Sequence, residues 1–241
     1  MSHQKRWFIF YDIIKVMKYI YINLIYLLMA TCIIFDIGYI ISGLKKKNVI
    51  GLFCKTLAAL CFITICYLGY RYNETTFNKY ILIGLSLDGL GDLFLAFRNL
   101  FAKKVMFVIG TLCFLGGHIV FIRALSLLSN AYYIECIIGS VVIGAFLFYL
   151  FDRACHFNKG LTVLGISYLV IISMMASLSV GVYITNTTVR SIVFMMGAVL
   201  FIASDIILIA YNSSKKEKWM HPIYSLLYFS AQILISYSLF L

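Results

Sequence analysis

Two aspartates stand in this sequence in near-identical apolar settings: Leu90-Gly91-Asp92-Leu93-Phe94-Leu95-Ala96 and Ala203-Ser204-Asp205-Ile206-Ile207-Leu208-Ile209-Ala210. An ionisable side chain inside such a stretch costs several kcal/mol by roughly any scale. It therefore faces the protein interior and marks a functional position by default. A pair of carboxyls suits acid–base chemistry, in which one donates a proton while the other stays ionised to accept one or to steady a cation. Asp88 lies one helical turn before Asp92, on the same helix face. Lys55, His118, Tyr168 and Gln232 are further polar groups within apolar segments and join these aspartates as candidate site residues. Each has a plainer reading. Lys55 can snorkel to headgroups, His118 and Gln232 can be helix–helix hydrogen bonds, and Asp36 can be an interfacial charge or a partner for Lys55.

The segments that carry these residues are membrane spans. The 241 residues are 63% hydrophobic and 12% charged, with a single proline, Pro222. A soluble domain has about 25% charge and 45–50% apolar residues, so that class is excluded. Stretches of about 20 apolar residues fall at 19–43, 49–70, 79–98, 104–124, 131–151, 161–184, 189–211 and 222–240. Their connections are too short for a separate domain. The expectation is an all-α polytopic transmembrane bundle of eight spans over 19–241, preceded by a basic amphipathic segment over 1–18 that lies on the membrane surface. No small-residue cleavage site follows the first span, so that segment is expected to stay with the chain.

The seven cysteines show no metal-ligand spacing and read as small apolar filler, so neither a metal, a cofactor nor a disulfide is expected. The net charge of +11 sits in the connections. It points to anionic membrane lipids as partners and away from nucleic acid. The first, third, fifth and seventh connections hold 11 lysines and arginines and the even ones four. That places the odd connections in the cytoplasm, whereas the basic N-terminus argues for the opposite orientation. Oligomeric state is not legible in the sequence.

Depth ties the candidates together. Asp92, Asp205 and Lys55 each lie six residues from the odd-connection end of their spans, and Asp36 and Tyr168 seven. At 1.5 Å per residue this is a single layer roughly 9–10 Å beneath one face. A common offset also recurs: 113 residues takes Asp92 to Asp205, Lys55 to Tyr168, and His118 to within one residue of Gln232. The offset predicts two parallel four-span repeats.

At these residues the chain resembles the YhhN-type lysoplasmalogenase-like membrane protein family. The family's lysine early in the second span is matched by Phe53-Cys54-Lys55-Thr56-Leu57. Its Ser-x-x-Gly-Asp-x-x-Leu is matched in part by residues 88–95, and its Gly…Phe…His run by Gly110, Phe114 and His118. Tyr168 and Met174 fit the sixth span. Gly197-Ala198-Val199-Leu200-Phe201-Ile202-Ala203-Ser204-Asp205 fits the seventh, and Tyr228, Ala231 and Gln232 fit the eighth. The likeness covers roughly residues 50–241. It departs at Thr56, where proline is usual, and at Asp88, where serine is usual.

The resemblance implies an integral-membrane hydrolase that cleaves the vinyl-ether bond of lysoplasmalogens to a fatty aldehyde and a glycerophospho-alcohol, with a lysophospholipid as its partner. Such a bond breaks by protonation of its β-carbon, capture of the oxocarbenium ion by water, and collapse of the hemiacetal. Apolar surroundings and a neighbouring carboxylate both favour an uncharged carboxyl able to supply that proton, as in the paired carboxyls of glycosidases. Asp92 and Asp205 would be the pair, and Lys55 would attract the phosphate or tune them. Asp88, Tyr168, His118 and Gln232 would line or orient the site, with the lipid chain in the span interior below the layer. The membrane would be the cell membrane in a bacterium and one of the endoplasmic-reticulum type in a eukaryote. The rival expectation, from intramembrane carboxylates and parallel repeats, is a small-molecule or proton-coupled transporter.

Overall fold

The computed structural model describes residues 3–98, 100–101, 103–129, 131–154, 159–212 and 217–241. Without water to satisfy backbone groups, an apolar chain in a bilayer must close its hydrogen bonds within each segment. The described residues form helices accordingly: α1 His3–Leu44, α2 Asn48–Tyr72, α3 Thr76–Phe97, α4 Lys103–Leu128, α5 Tyr133–Ala154, α6 Lys159–Thr185, α7 Val189–Asn212 and α8 Met220–Tyr237. A short 3-10 turn, Ser238–Phe240, follows α8. Each of the eight helices has a stretch long and apolar enough to cross a membrane. The backbone of 3–18 continues α1. The expected amphipathic face of that segment lies outside the described side chains.

Each helix packs on its sequence neighbour except across the α4–α5 connection. There α4 meets α6 instead, and α5 packs on α6 and α7. The last helix, α8, contacts α1, α2, α3 and α7, so the end of the chain closes the bundle. The neighbour relations repeat when shifted by four helices: α1–α2 as α5–α6, α2–α3 as α6–α7, α3–α4 as α7–α8, and α2–α8 as α6–α4.

The offset of 113 is legible down to single bonds. Thr75 Oγ1 accepts from the Asn78 amide at 3.1 Å at the start of α3, and Thr188 Oγ1 accepts from the Ser191 amide at 3.2 Å at the start of α7. The Asn78 amide nitrogen donates back to the Asn73 carbonyl, as the Ser191 hydroxyl does to that of Asn186. Both caps satisfy a backbone donor that a helix start leaves free.

Glycines set the helix spacing at equivalent places. A Cβ on Gly117 of α4 would lie 2.9 Å from the Gly84 carbonyl oxygen of α3. One on Gly197 of α7 would lie 3.1 Å from that of Ala231 in α8. Such small-residue contacts let membrane helices approach closely. Gly117→Val is expected to push α3 and α4 apart and to destabilise the fold by about 1–3 kcal/mol. Gly116→Ala, whose added carbon would meet only Leu87 at 3.6 Å, should be near neutral. The unfolding midpoints of the two variants in detergent check this.

Candidate active site

The bundle brings the polar layer together near the odd-connection face. Lys55 of α2 reaches inward and places its ammonium 2.9 Å from Asp92 Oδ1 of α3. Asp92 is 1% exposed and the Lys55 side chain 12%, so this is an ion pair largely withdrawn from solvent. The other carboxylate oxygen of Asp92 accepts from the Tyr228 hydroxyl of α8 at 2.7 Å. Gln232, one turn along α8, donates from Nε2 to the Tyr228 oxygen at 3.0 Å and to Asp88 Oδ2 at 2.9 Å. Three helices are thereby joined through hydrogen bonds around one carboxylate.

Asp205 has different company. Its Oδ2 accepts from the Tyr168 hydroxyl of α6 at 2.6 Å, and among the described residues no cation lies within ion-pair distance of it. Ser204 beside it donates to the Tyr224 carbonyl and ties α7 to α8. Lys55–Asp92 and Tyr168–Asp205 are equivalent pairs at the offset of 113, one ionic and one a hydroxyl bond.

Both aspartates line one cavity of about 500 Å³, as do Lys55, Tyr168 and Tyr228. The cavity runs from the layer to the odd-connection face, where Arg98, Lys103 and Lys104 of the α3–α4 connection border it. In between, its walls include Leu95, Phe107 and Leu208. The lining reaches one turn deeper than Asp205, at Phe201. Deeper still, Phe62, Phe121 and Phe194 are fully buried, with Phe121 and Phe194 in edge contact.

Asp88, His118 and Gln232 do not line the cavity. They are fully buried behind it. His118 stands edge-on to Phe201 at 4.6 Å between centroids and 5.7 Å from the Tyr168 ring. Neither of its ring nitrogens has a partner among the described residues. Of the sequence candidates, then, Lys55, Asp92, Tyr168 and Asp205 share the cavity wall, and the other three back it. Asp36 is buried, but it accepts from Ser225 at 2.5 Å, and Asp92 takes Lys55 in its place. A partner on α3, one layer neighbour away, outcompetes the one on α1.

Tyr228 has no role in the sequence reading beyond its place in the eighth-span motif, yet it is the hydroxyl that reaches Asp92. The signal for it is its spacing of four from Gln232, which puts the two on one helix face. The cavity-facing position of Arg98, Lys103 and Lys104 has no such signal, because basic residues flank most spans.

Comparison with known proteins agrees with the motifs. A model of the YhhN family matches residues 50–239. No curated protein matches, and no solved structure does.

Proposed function

Since the chain belongs to the YhhN family, we propose that it is an integral-membrane hydrolase that opens the vinyl-ether bond of a lysoplasmalogen. The observation that carries this reading is one cavity wall holding two carboxyls with unlike partners. Asp205, held by a hydroxyl, is the acid. Asp92, beside the Lys55 ammonium, is the ionised partner.

The cycle balances with these two groups. Asp205 gives its proton to the β-carbon of the vinyl ether, and the resulting oxocarbenium ion is steadied by the Asp92 carboxylate. Water adds to that ion as Asp92 takes one of its protons. Asp92 then returns this proton to the glyceryl oxygen while Asp205 recovers one from the hemiacetal hydroxyl. The aldehyde and the glycerophospho-alcohol leave, and both carboxyls regain their starting states. Tyr168 and Tyr228 fix the orientation of the carboxyls by donating to one oxygen of each. Positioning of this kind is a recognised part of acid–base catalysis. The deciding assay incubates the purified protein in detergent with a lysoplasmenyl lipid and a lysoacyl control. Aldehyde from the first alone supports the hydrolase, and none from any vinyl-ether lipid overturns it.

The cavity's opening at the odd-connection face, away from the midplane where carrier sites lie, favours the hydrolase over a carrier. In a background without the seven native cysteines, Leu95→Cys and Leu208→Cys are expected to react with a water-soluble thiol reagent supplied at the odd-connection face. A substrate analogue should protect both. Leu82→Cys and Val193→Cys, at the far ends of α3 and α7, should stay shielded from that face throughout. Labelling that switches faces on ligand binding would instead support alternating access.

A further inference from the structure

The cations at the cavity mouth are not used by the chemistry above. Arg98 ends α3, and Lys103 and Lys104 begin α4. All three line the cavity, and the Arg98 guanidinium lies 5.6 Å over the Phe107 ring in the same wall. The ion pairs among the described residues are Lys55–Asp92 and Arg71–Glu74, so none of the three has a carboxylate there. Lys45, Lys46 and Lys47 belong to the same membrane face and do not line the cavity. General flanking charge accounts for those lysines. It does not account for three unneutralised cations converging on one opening.

Like charges held together favour an anion between them. Arg98 is six residues beyond Asp92 on α3, roughly 9 Å along the helix, about the separation that a glycerol unit puts between a phosphate and an ether carbon. Inside the mouth the walls turn apolar. The volume falls within the roughly 300–1,000 Å³ of pockets that take one small ligand. We propose that Arg98, Lys103 and Lys104 form an anion subsite for the phosphate of a single-chain phospholipid whose ether end reaches Asp92 and Asp205. The subsite rests on the hydrolase reading only for the identity of the lipid. Arg98 supplies a planar fork that can hold two phosphate oxygens, and the lysines act as point charges. Lys55, expected either to attract the phosphate or to tune the carboxyl pair, is bonded to Asp92, and in this proposal the phosphate falls to the three cations at the mouth.

Two probes that the enzyme cannot turn over test this by calorimetry on the purified full chain: a saturated 1-O-alkyl lysoglycerophosphocholine and the matching 1-O-alkylglycerol, which lacks phosphate. The native protein is expected to bind the first at least about tenfold more tightly, equivalent to about 1.4 kcal/mol, with the preference shrinking as salt rises. The triple variant Arg98→Gln, Lys103→Gln, Lys104→Gln should lose the preference and keep its affinity for the alkylglycerol within about twofold. Lys104→Gln alone, at an exposed position, should lose part of it, and Arg98→Lys should keep more of it than Arg98→Gln. Inorganic phosphate, added as competitor, separates the sources of the anion. Displacement of the lipid means that the subsite takes free phosphate, and no displacement means that it requires the attached chain; either result supports the subsite. Equal binding of the two probes by the native protein, or a preference that survives in the triple variant, overturns it. A native preference that the triple variant loses, with no aldehyde released by the native protein, would leave the subsite standing and remove the hydrolase reading. Equal binding of the two probes by a native protein that does release aldehyde would do the reverse.

Discussion

Asp205→Asn is expected to lower aldehyde release by roughly 10²–10⁴-fold, the range assigned to general acid–base catalysis, while leaving the protein monodisperse in detergent. Asparagine keeps the size of the side chain and still accepts from the Tyr168 hydroxyl, which now binds Asp205 at 2.6 Å. It lacks the proton that the vinyl-ether carbon must receive. Tyr168→Phe removes the orienting bond and spares the acid, so its loss should be clearly smaller than that of Asp205→Asn. Turnover of both variants with a lysoplasmenyl lipid is the measurement. Near-native release from Asp205→Asn would sink the assignment of Asp205 as the acid.

Lys55→Met should be the most destabilising change in the polar layer, and Lys55→Met with Asp92→Asn should be far milder. The single variant strands a carboxylate that is 1% exposed with the Tyr228 hydroxyl as its remaining partner. Breaking one side of a buried pair costs about 3–5 kcal/mol, and the 12% exposure of the Lys55 side chain puts the expectation at the lower end. Removing both charges leaves no uncompensated ion, so the unfolding midpoint should recover most of the loss. Activity should not recover, because the ionised partner of Asp205 is gone. If the double variant unfolds as early as the single one, Lys55 supports the fold through packing, and its charge is incidental.

Much of this architecture is legible in the order of the residues. Eight apolar stretches become eight helices because a bilayer leaves the backbone no alternative. The layer is legible because polar residues are conspicuous against an apolar background, and counting residues to a span end measures depth directly. The repeat is legible at Asp92, Lys55 and His118 and hidden at Asn73, Thr75 and Asn78. Their equivalents Asn186, Thr188 and Ser191 sit in a connection and in the helix turn that follows it, where polar residues are ordinary. Partnership is the part that sequence does not supply. Depth alone does not tell whether Lys55 pairs with Asp36 or with Asp92, since the choice depends on how α1, α2 and α3 are rotated about their axes. The location of the cavity is hidden for a related reason. Phe121 and Phe194 are as compatible with lining a cavity as with filling a core, and it is the packing of the helices that places both in the core.

Two halves that share most of their helix contacts carry a consequence for the chemistry. In a strictly symmetric pair of halves, Asp92 and Asp205 would meet identical surroundings, and neither could be told apart as donor or acceptor. One position breaks that equality first: lysine at 55 and tyrosine at its counterpart 168, each bonded to the aspartate of its own half. A second difference reinforces it, since Tyr228 offers Asp92 a hydroxyl where Phe114, its match at the spacing that takes His118 to Gln232, has none to offer Asp205. On the proposed reading, division of labour between two equal carboxyls therefore comes down to two positions in each half outside the pair. Exchanging them between the halves, with Lys55→Tyr, Tyr168→Lys, Phe114→Tyr and Tyr228→Phe together, would hand the acid's work to the other aspartate across the same cavity.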